Sequence, residues 1–177
     1  IRNLLFVGRL TELKKVDLII KALSRLNLSE INYNLKIVGN GEEKQNLKNL
    51  VSKLNAKQYI KFLDGTYDEN KLGLLFLEAD MLVSPGNVGL NAIHALSYGT
   101  PVLTHNNFIN QMPEHEVIIE NFNGIFHREN DISSIIKNLN KWFSNLNSMN
   151  TRLKIRKKLI EKYNPKFQVR IFEKVLS

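Results

Sequence analysis

The stretch MLVSPGNVGLNAIHALSYGTPVLT, residues 81–104, decides the fold. Met81 to Val83 is a short apolar run that reads as a buried strand, and Pro85 and Gly86 break it. Leu90 to Leu96 has the length and composition of a compact helix, ended by Gly99. Pro101 to Thr104 is then a second apolar strand. A strand, a glycine-bearing loop, a helix and another strand in this order form a crossover unit. Such units build parallel sheets covered by helices.

The alternation continues in both directions. Upstream, Leu4 to Val7 is an apolar run closed by Gly8, and Val16, Ile19, Ile20, Leu23 and Leu26 follow at helical spacing. Tyr33 to Val38 is a strand closed by Gly39-Asn40-Gly41, and Leu47, Leu50, Val51 and Leu54 mark a helix. Tyr59 to Leu63 is a strand stopped by Asp64-Gly65, and Leu72, Leu75 and Phe76 lie on the next helix. Downstream, Gly124 to Phe126 makes a sixth strand after an irregular stretch. The tail from Ile132 to Leu176 reads as two or three helices, with Asp131 or Ser133 as a cap and Asn164-Pro165 before the last. Trp142 and Phe143 are expected to pack. The expected fold is a Rossmann-like α/β domain: a parallel sheet of about six strands with helices on both faces.

At 177 residues the chain suits a single domain, residues 1–177. It opens directly on a strand, so a segment upstream is expected. No apolar run approaches the ~20 residues of a membrane span. The absence of cysteine excludes disulfides and thiolate metal sites and agrees with a cytoplasmic setting. No two histidines have the close helical spacing of a zinc site, so no metal is expected. The net charge of +8 suits anionic partners. The densest basic cluster, Arg152, Lys154, Arg156, Lys157, Lys158 and Lys162, reads first as a solvated helix face. It also raises a peripheral contact with an acidic membrane at the inner face. The basic residues are not interleaved with aromatics, so nucleic acid is not an expected partner.

In open α/β sheets, ligands sit beyond the carboxyl ends of the strands. After the first strand come Gly8 and Arg9, and Lys14 and Lys15 follow one loop later at the expected start of the first helix. Two cations at a strand end can clamp a diphosphate, although a solvated loop has the same spacing. Ser84 to Leu90 runs into a helix, and free N–H groups of Val88, Gly89 and Leu90 would form an anion site. His94 lies one turn past Leu90; taken alone, a histidine on an apolar helix is more readily a packing residue.

These stretches, in this order, resemble the retaining "group 1" glycosyltransferases of the GT-B fold. The matching pieces are Phe6 to Leu10 with Lys14 and Asp17, Ile37 to Glu42, Ile60 to Gly65 and Ala79 to Pro85. Gly89-Leu90 with His94 to Val102 is the strongest, and Pro113-Glu114 and Asn123-Gly124 complete the set. The resemblance implies the C-terminal, donor-binding half of a two-domain enzyme, with the N-terminal acceptor domain lying outside this chain. It implies a nucleotide-diphosphate sugar as substrate, no cofactor, and a product in glycan or surface polysaccharide biosynthesis. It places the diphosphate on Arg9 and Lys14, beside Gly8 and Lys15. The turn Gly86, Asn87, Val88, Gly89 and Leu90 would meet the distal phosphate and sugar. Gly39, Asn40, Gly41, Phe62, Leu63 and Leu72 would surround the base. The family carries two glutamates flanking seven residues, the first on the donor sugar and the second on the ribose; Gly86 and His94 stand there. His94 is expected to keep the ribose contact, and Gly86 to leave a more open sugar subsite. A nucleotide-sugar epimerase of the same architecture and a non-catalytic nucleic-acid-binding module are the alternatives.

Overall fold

The computed structural model describes residues 1–26, 32–144 and 152–164, together with 169 and 173. Six parallel strands form one sheet: β1 (Arg2–Val7), β2 (Tyr33–Val38), β3 (Ile60–Leu63), β4 (Met81–Ser84), β5 (Val102–His105) and β6 (Gly124–His127). Their order across the sheet is β3-β2-β1-β4-β5-β6. This is the doubly wound arrangement, in which the strand order reverses between β1 and β4.

Side chains of successive strand residues point to opposite faces, and the sequence fills both with apolar groups. Leu4 and Phe6 of β1, Leu35 and Ile37 of β2, and Met81 and Val83 of β4 belong to one core. That core is closed by helices α1 (Val16–Leu26), α2 (Lys44–Lys53) and α5 (Ile132–Ser144). Leu5 and Leu82 face the other way, under α3 (Glu69–Glu78), α4 (Asn91–Ser97) and α6 (Arg152–Lys162). Trp142 and Phe143 are buried against the first core, as expected. Asp131, not Ser133, caps α5: its Oδ1 accepts the Ser134 N–H at 2.9 Å. The last helix expected beyond Pro165 falls outside the described residues.

The elements match the apolar runs within a residue or two, but three details differ. Lys14 and Lys15 do not open α1. Lys14 closes a 3₁₀ turn (Glu12–Lys14) and Lys15 sits in the left-handed region at φ 50°. The first helical turn instead carries Asp17, the charge that suits a helix N-terminus. Leu90 precedes α4 rather than starting it, and is 71% exposed. The irregular stretch before β6 contains two 3₁₀ segments, Phe108–Asn110 and Pro113–Val117.

Arg152 is also distinct from the rest of the basic cluster. Its guanidinium donates to Thr100 Oγ1 at 2.9 Å and Phe76 O at 3.3 Å, and to the Ala79 carbonyl. It therefore clamps α6 onto the end of α3, while Lys154, Arg156, Lys157, Lys158 and Lys162 remain exposed. Among the described residues no helix is long and apolar enough to cross a membrane.

Candidate functional site

Strands β1 and β4 pair only through Leu4–Met81 and Leu5–Leu82. Beyond that pair they diverge, and the crevice of a reversed strand order opens between their carboxyl ends. The Val7 carbonyl there takes a side-chain donor, Asn91 Nδ2 at 2.6 Å, from the first turn of α4. A cleft of about 640 Å³ begins at this point.

Three loops converge on the cleft. The β1 loop contributes Gly8 and Arg9, the β2 loop Gly39, Asn40 and Gly41, and the β3 loop Gly65, Thr66 and Tyr67, while helices α3 and α4 contribute Leu72 and His94. The β1 and β2 loops pack directly on one another. A Cβ on Gly39 would lie 1.9 Å from the Gly8 carbonyl oxygen, and one on Gly41 2.3 Å from that of Leu10. Only glycine permits this approach, which is held by the Leu10 N–H donating to Asn40 O at 2.9 Å. Arg9 is exposed, and its guanidinium has no ion pair or hydrogen bond among the described residues.

Lys14 lies to one side of the cleft, where the β1 loop crosses the β4 loop. Its Nζ donates to Asn87 O at 2.8 Å and Asn87 Oδ1 at 2.7 Å. Burial lowers its pKa below the usual lysine value, and the nearby Glu114 carboxylate opposes that shift. Glu114 Oε2 is itself buried with no hydrogen-bond partner among the described residues. The lysine and the turn entering α4 are thus tied together.

Two expectations about that turn are corrected. The Val88 N–H is not free, because Gln111 Oε1 accepts it at 3.0 Å. Gln111 is held in place by its own donations to Thr104 Oγ1 at 2.8 Å and His105 O at 3.1 Å. The Gly89 and Leu90 N–H groups have no such partner among the described residues. The second correction concerns Gly86, whose missing side chain is not empty space, because the β1 loop fills the position a Cβ would take even though the glycine backbone borders a cavity. It is buried, its N–H donates to Lys14 O at 3.1 Å, and a Cβ would meet Leu13 O at 2.0 Å. The glycine is the contact that lets the β4 loop lie against the β1 loop.

The remaining predicted residues do not line the cleft. Phe62 is half-buried under Lys48, whose Nζ is 6.0 Å from the ring centre, and Leu63 hydrogen-bonds through its carbonyl to the Gly39 N–H. Lys15 forms a 3.7 Å ion pair with Glu12. With Gly86, Asn87, His105 and Glu129 it also lines a separate cavity of about 280 Å³. Sequence reasoning missed Tyr67, Glu69 and Asn91, which do line the cleft. For Glu69 and Asn91 the only sequence signal is a polar residue at the first turn of a helix, which is shared with ordinary helix starts, and Tyr67 precedes the cap of α3 with no such signal.

The family model described as glycosyl transferases group 1 matches residues 2–171. An uncharacterized glycosyltransferase of Haemophilus influenzae is 29% identical over 149 residues, 81% of this chain and 40% of that protein. The chain thus spans well under half of that relative. Among solved structures, the apo lipopolysaccharide outer core galactosyltransferase WaaB superposes with a TM-score of 0.83 at 17% identity, over 99% of this chain and 48% of that one. Anabaena HepE in complex with UDP gives 0.79 at 16% identity, over 98% of this chain and 48% of that one. S. aureus TarM, in a complex that includes UDP, gives 0.80 at 22% identity, over 99% and 34%. At these identities the likeness is one of fold.

Proposed function

The chain belongs to the glycosyl transferases of group 1, and from that premise we propose that it is the donor-binding half of a two-domain enzyme. The enzyme transfers a glycosyl group from a nucleotide-diphosphate sugar to an acceptor in glycan or surface polysaccharide biosynthesis. The single observation that carries this reading is Arg9, an exposed guanidinium without a counter-charge among the described residues, at the mouth of the cleft where the strand order reverses. A planar donor fork in that position matches a phosphate. As the glycosidic bond breaks, the leaving diphosphate gains negative charge. Arg9, Lys14 and the N–H groups of Gly89 and Leu90 would stabilise it.

Gly39 to Gly41 and Leu72 form the wall that suits the base, and His94 lies where the ribose would sit. The acceptor site belongs to the part of the enzyme outside this chain, so this domain alone binds donor without turning it over. The exposed basic side chains of α6 give the domain a cationic face, in keeping with peripheral contact with the inner face of an acidic membrane.

Calorimetric titration of the full-length protein with UDP and UDP-sugars, the ligand class named for HepE and TarM, tests the reading. Arg9→Ala should weaken binding about 10- to 100-fold, the loss expected for a charge-assisted hydrogen-bond pair. Equal affinity in the wild type and the variant would remove Arg9 from the site.

A further inference from the structure

His94 occupies the position where the group 1 pattern has its ribose-binding glutamate, and an imidazole does not replace the charge of a carboxylate. A carboxylate is nonetheless beside it. His94 Nε2 lies 3.2 Å from Glu69 Oε2, across 25 residues of sequence. Glu69 stands in the first turn of α3, the start of which is set by Asp68 Oδ1 accepting the Asn70 and Lys71 N–H groups. The His94 ring is held by packing, with its centre 4.7 Å from that of Phe76 and 5.7 Å from that of Tyr98. Glu69 and His94 both line the cleft, as does Leu72, one turn along α3 from Glu69 on the same face.

An acid in the first turn of a helix is favoured by the helix dipole wherever its side chain points. Two features separate Glu69 from that ordinary role. Its carboxylate meets His94 and forms no ion pair with Lys or Arg among the described residues. The side chain is 71% exposed, so the pair adds little to stability and the carboxylate keeps acceptor capacity for a ligand. A vicinal diol presents two O–H donors. A carboxylate accepts both, and a neutral imidazole donating from Nε2 leaves Nδ1 as a further acceptor.

We propose that Glu69 supplies the ribose-holding carboxylate of this domain, with His94 as the residue that positions it. The acidic group has moved from α4 to α3, and the histidine holds the displaced carboxylate at the same wall of the cleft. The assignment rests on the donor-domain reading above, and the test distinguishes the two.

The full-length protein is titrated with uridine and guanosine diphosphates and their 2′,3′-dideoxy analogues, with thermal melting of each variant as the folding control. The wild type should prefer the ribonucleotide by about tenfold or more, the scale of a hydrogen bond to a charged group. Glu69→Gln should lose that preference by weakening the ribonucleotide alone, with melting unchanged. The double variant E69A/H94E, which returns a carboxylate to α4, should recover it. A wild type that binds both forms equally, or an E69Q variant that keeps the wild-type ratio, overturns the assignment and leaves the donor-domain reading in place. Failure of the wild type to bind any of these nucleotides overturns both.

Discussion

Placing at position 86 the carboxylate that the resemblance implies should damage this domain rather than complete it. An ideal Cβ at Gly86 falls 2.0 Å from the Leu13 carbonyl oxygen and 2.8 Å from the carbonyl carbon and Cα of Lys14. All three are backbone atoms, so no side-chain rotation relieves the contact, and the two loops must separate. Overpacking of this kind costs about 1–3 kcal/mol. Gly86→Ala should therefore lower the melting temperature by about 2–12 °C, at about 2–4 °C per kcal/mol for a domain of this size. Gly86→Glu should do at least as much. Because the Gly86 N–H donates to Lys14 O, and Lys14 in turn holds Asn87, separation of the loops also displaces the lysine. Nucleotide-diphosphate affinity should then fall in G86E despite the added carboxylate. Thermal melting and calorimetry of the two variants supply the check. If G86E melts within a degree of the wild type and binds a nucleotide sugar more tightly, the loop yields easily and position 86 faces the sugar after all.

Stability should also decline in mild acid. Burial pushes the His127 imidazole down to about 4 from 6.5, and burial lowers His105 beside it as well. The unfolded chain therefore binds protons that the folded chain does not, so stability is complete above about pH 6.5 and lost as pH falls toward 4. The loss attributable to His127 is about 3 kcal/mol. Urea unfolding from pH 7.5 to 4.5 reads it directly, and a His127→Gln variant that declines equally over that range would assign the effect elsewhere. The basic residues of α6 should divide into two classes. Neutralising Lys154, Arg156, Lys157 and Lys158 together should leave melting unchanged and reduce sedimentation with anionic vesicles. Arg152→Ala should cost about 1–3 kcal/mol, because it strands the Ala79 carbonyl and removes a donor from Thr100 Oγ1. Vesicle binding that survives the fourfold neutralisation would remove the membrane contact.

Most of the fold was legible because burial on both faces of a parallel sheet writes itself locally. Apolar runs such as Leu4–Val7 and Tyr33–Val38 end in glycine, and Val16–Leu26 carries the helical period. The cleft was legible in part. Gly8, Arg9, Gly39 to Gly41, Leu72 and His94 line one cleft, since each lies just past a strand end or on a helix leaving one. Gly86 was misread because a glycine in a sequence looks like space, whereas here it marks two backbones in contact. The Val88 N–H was expected to be free because its acceptor, Gln111, comes from a segment 23 residues away with no periodicity of its own.

The sequence alone determined the alternation of strands and helices, the positions of the loops at the carboxyl ends and the presence of cations among them. Each follows from near-neighbour spacing, which the chain carries in one dimension. Tertiary structure alone decided the reversal of strand order between β1 and β4, the lock of Lys14 on Asn87, and the meeting of Glu69 with His94. Those contacts join elements whose separation in space is set by the whole sheet, and no local pattern of residue types records it.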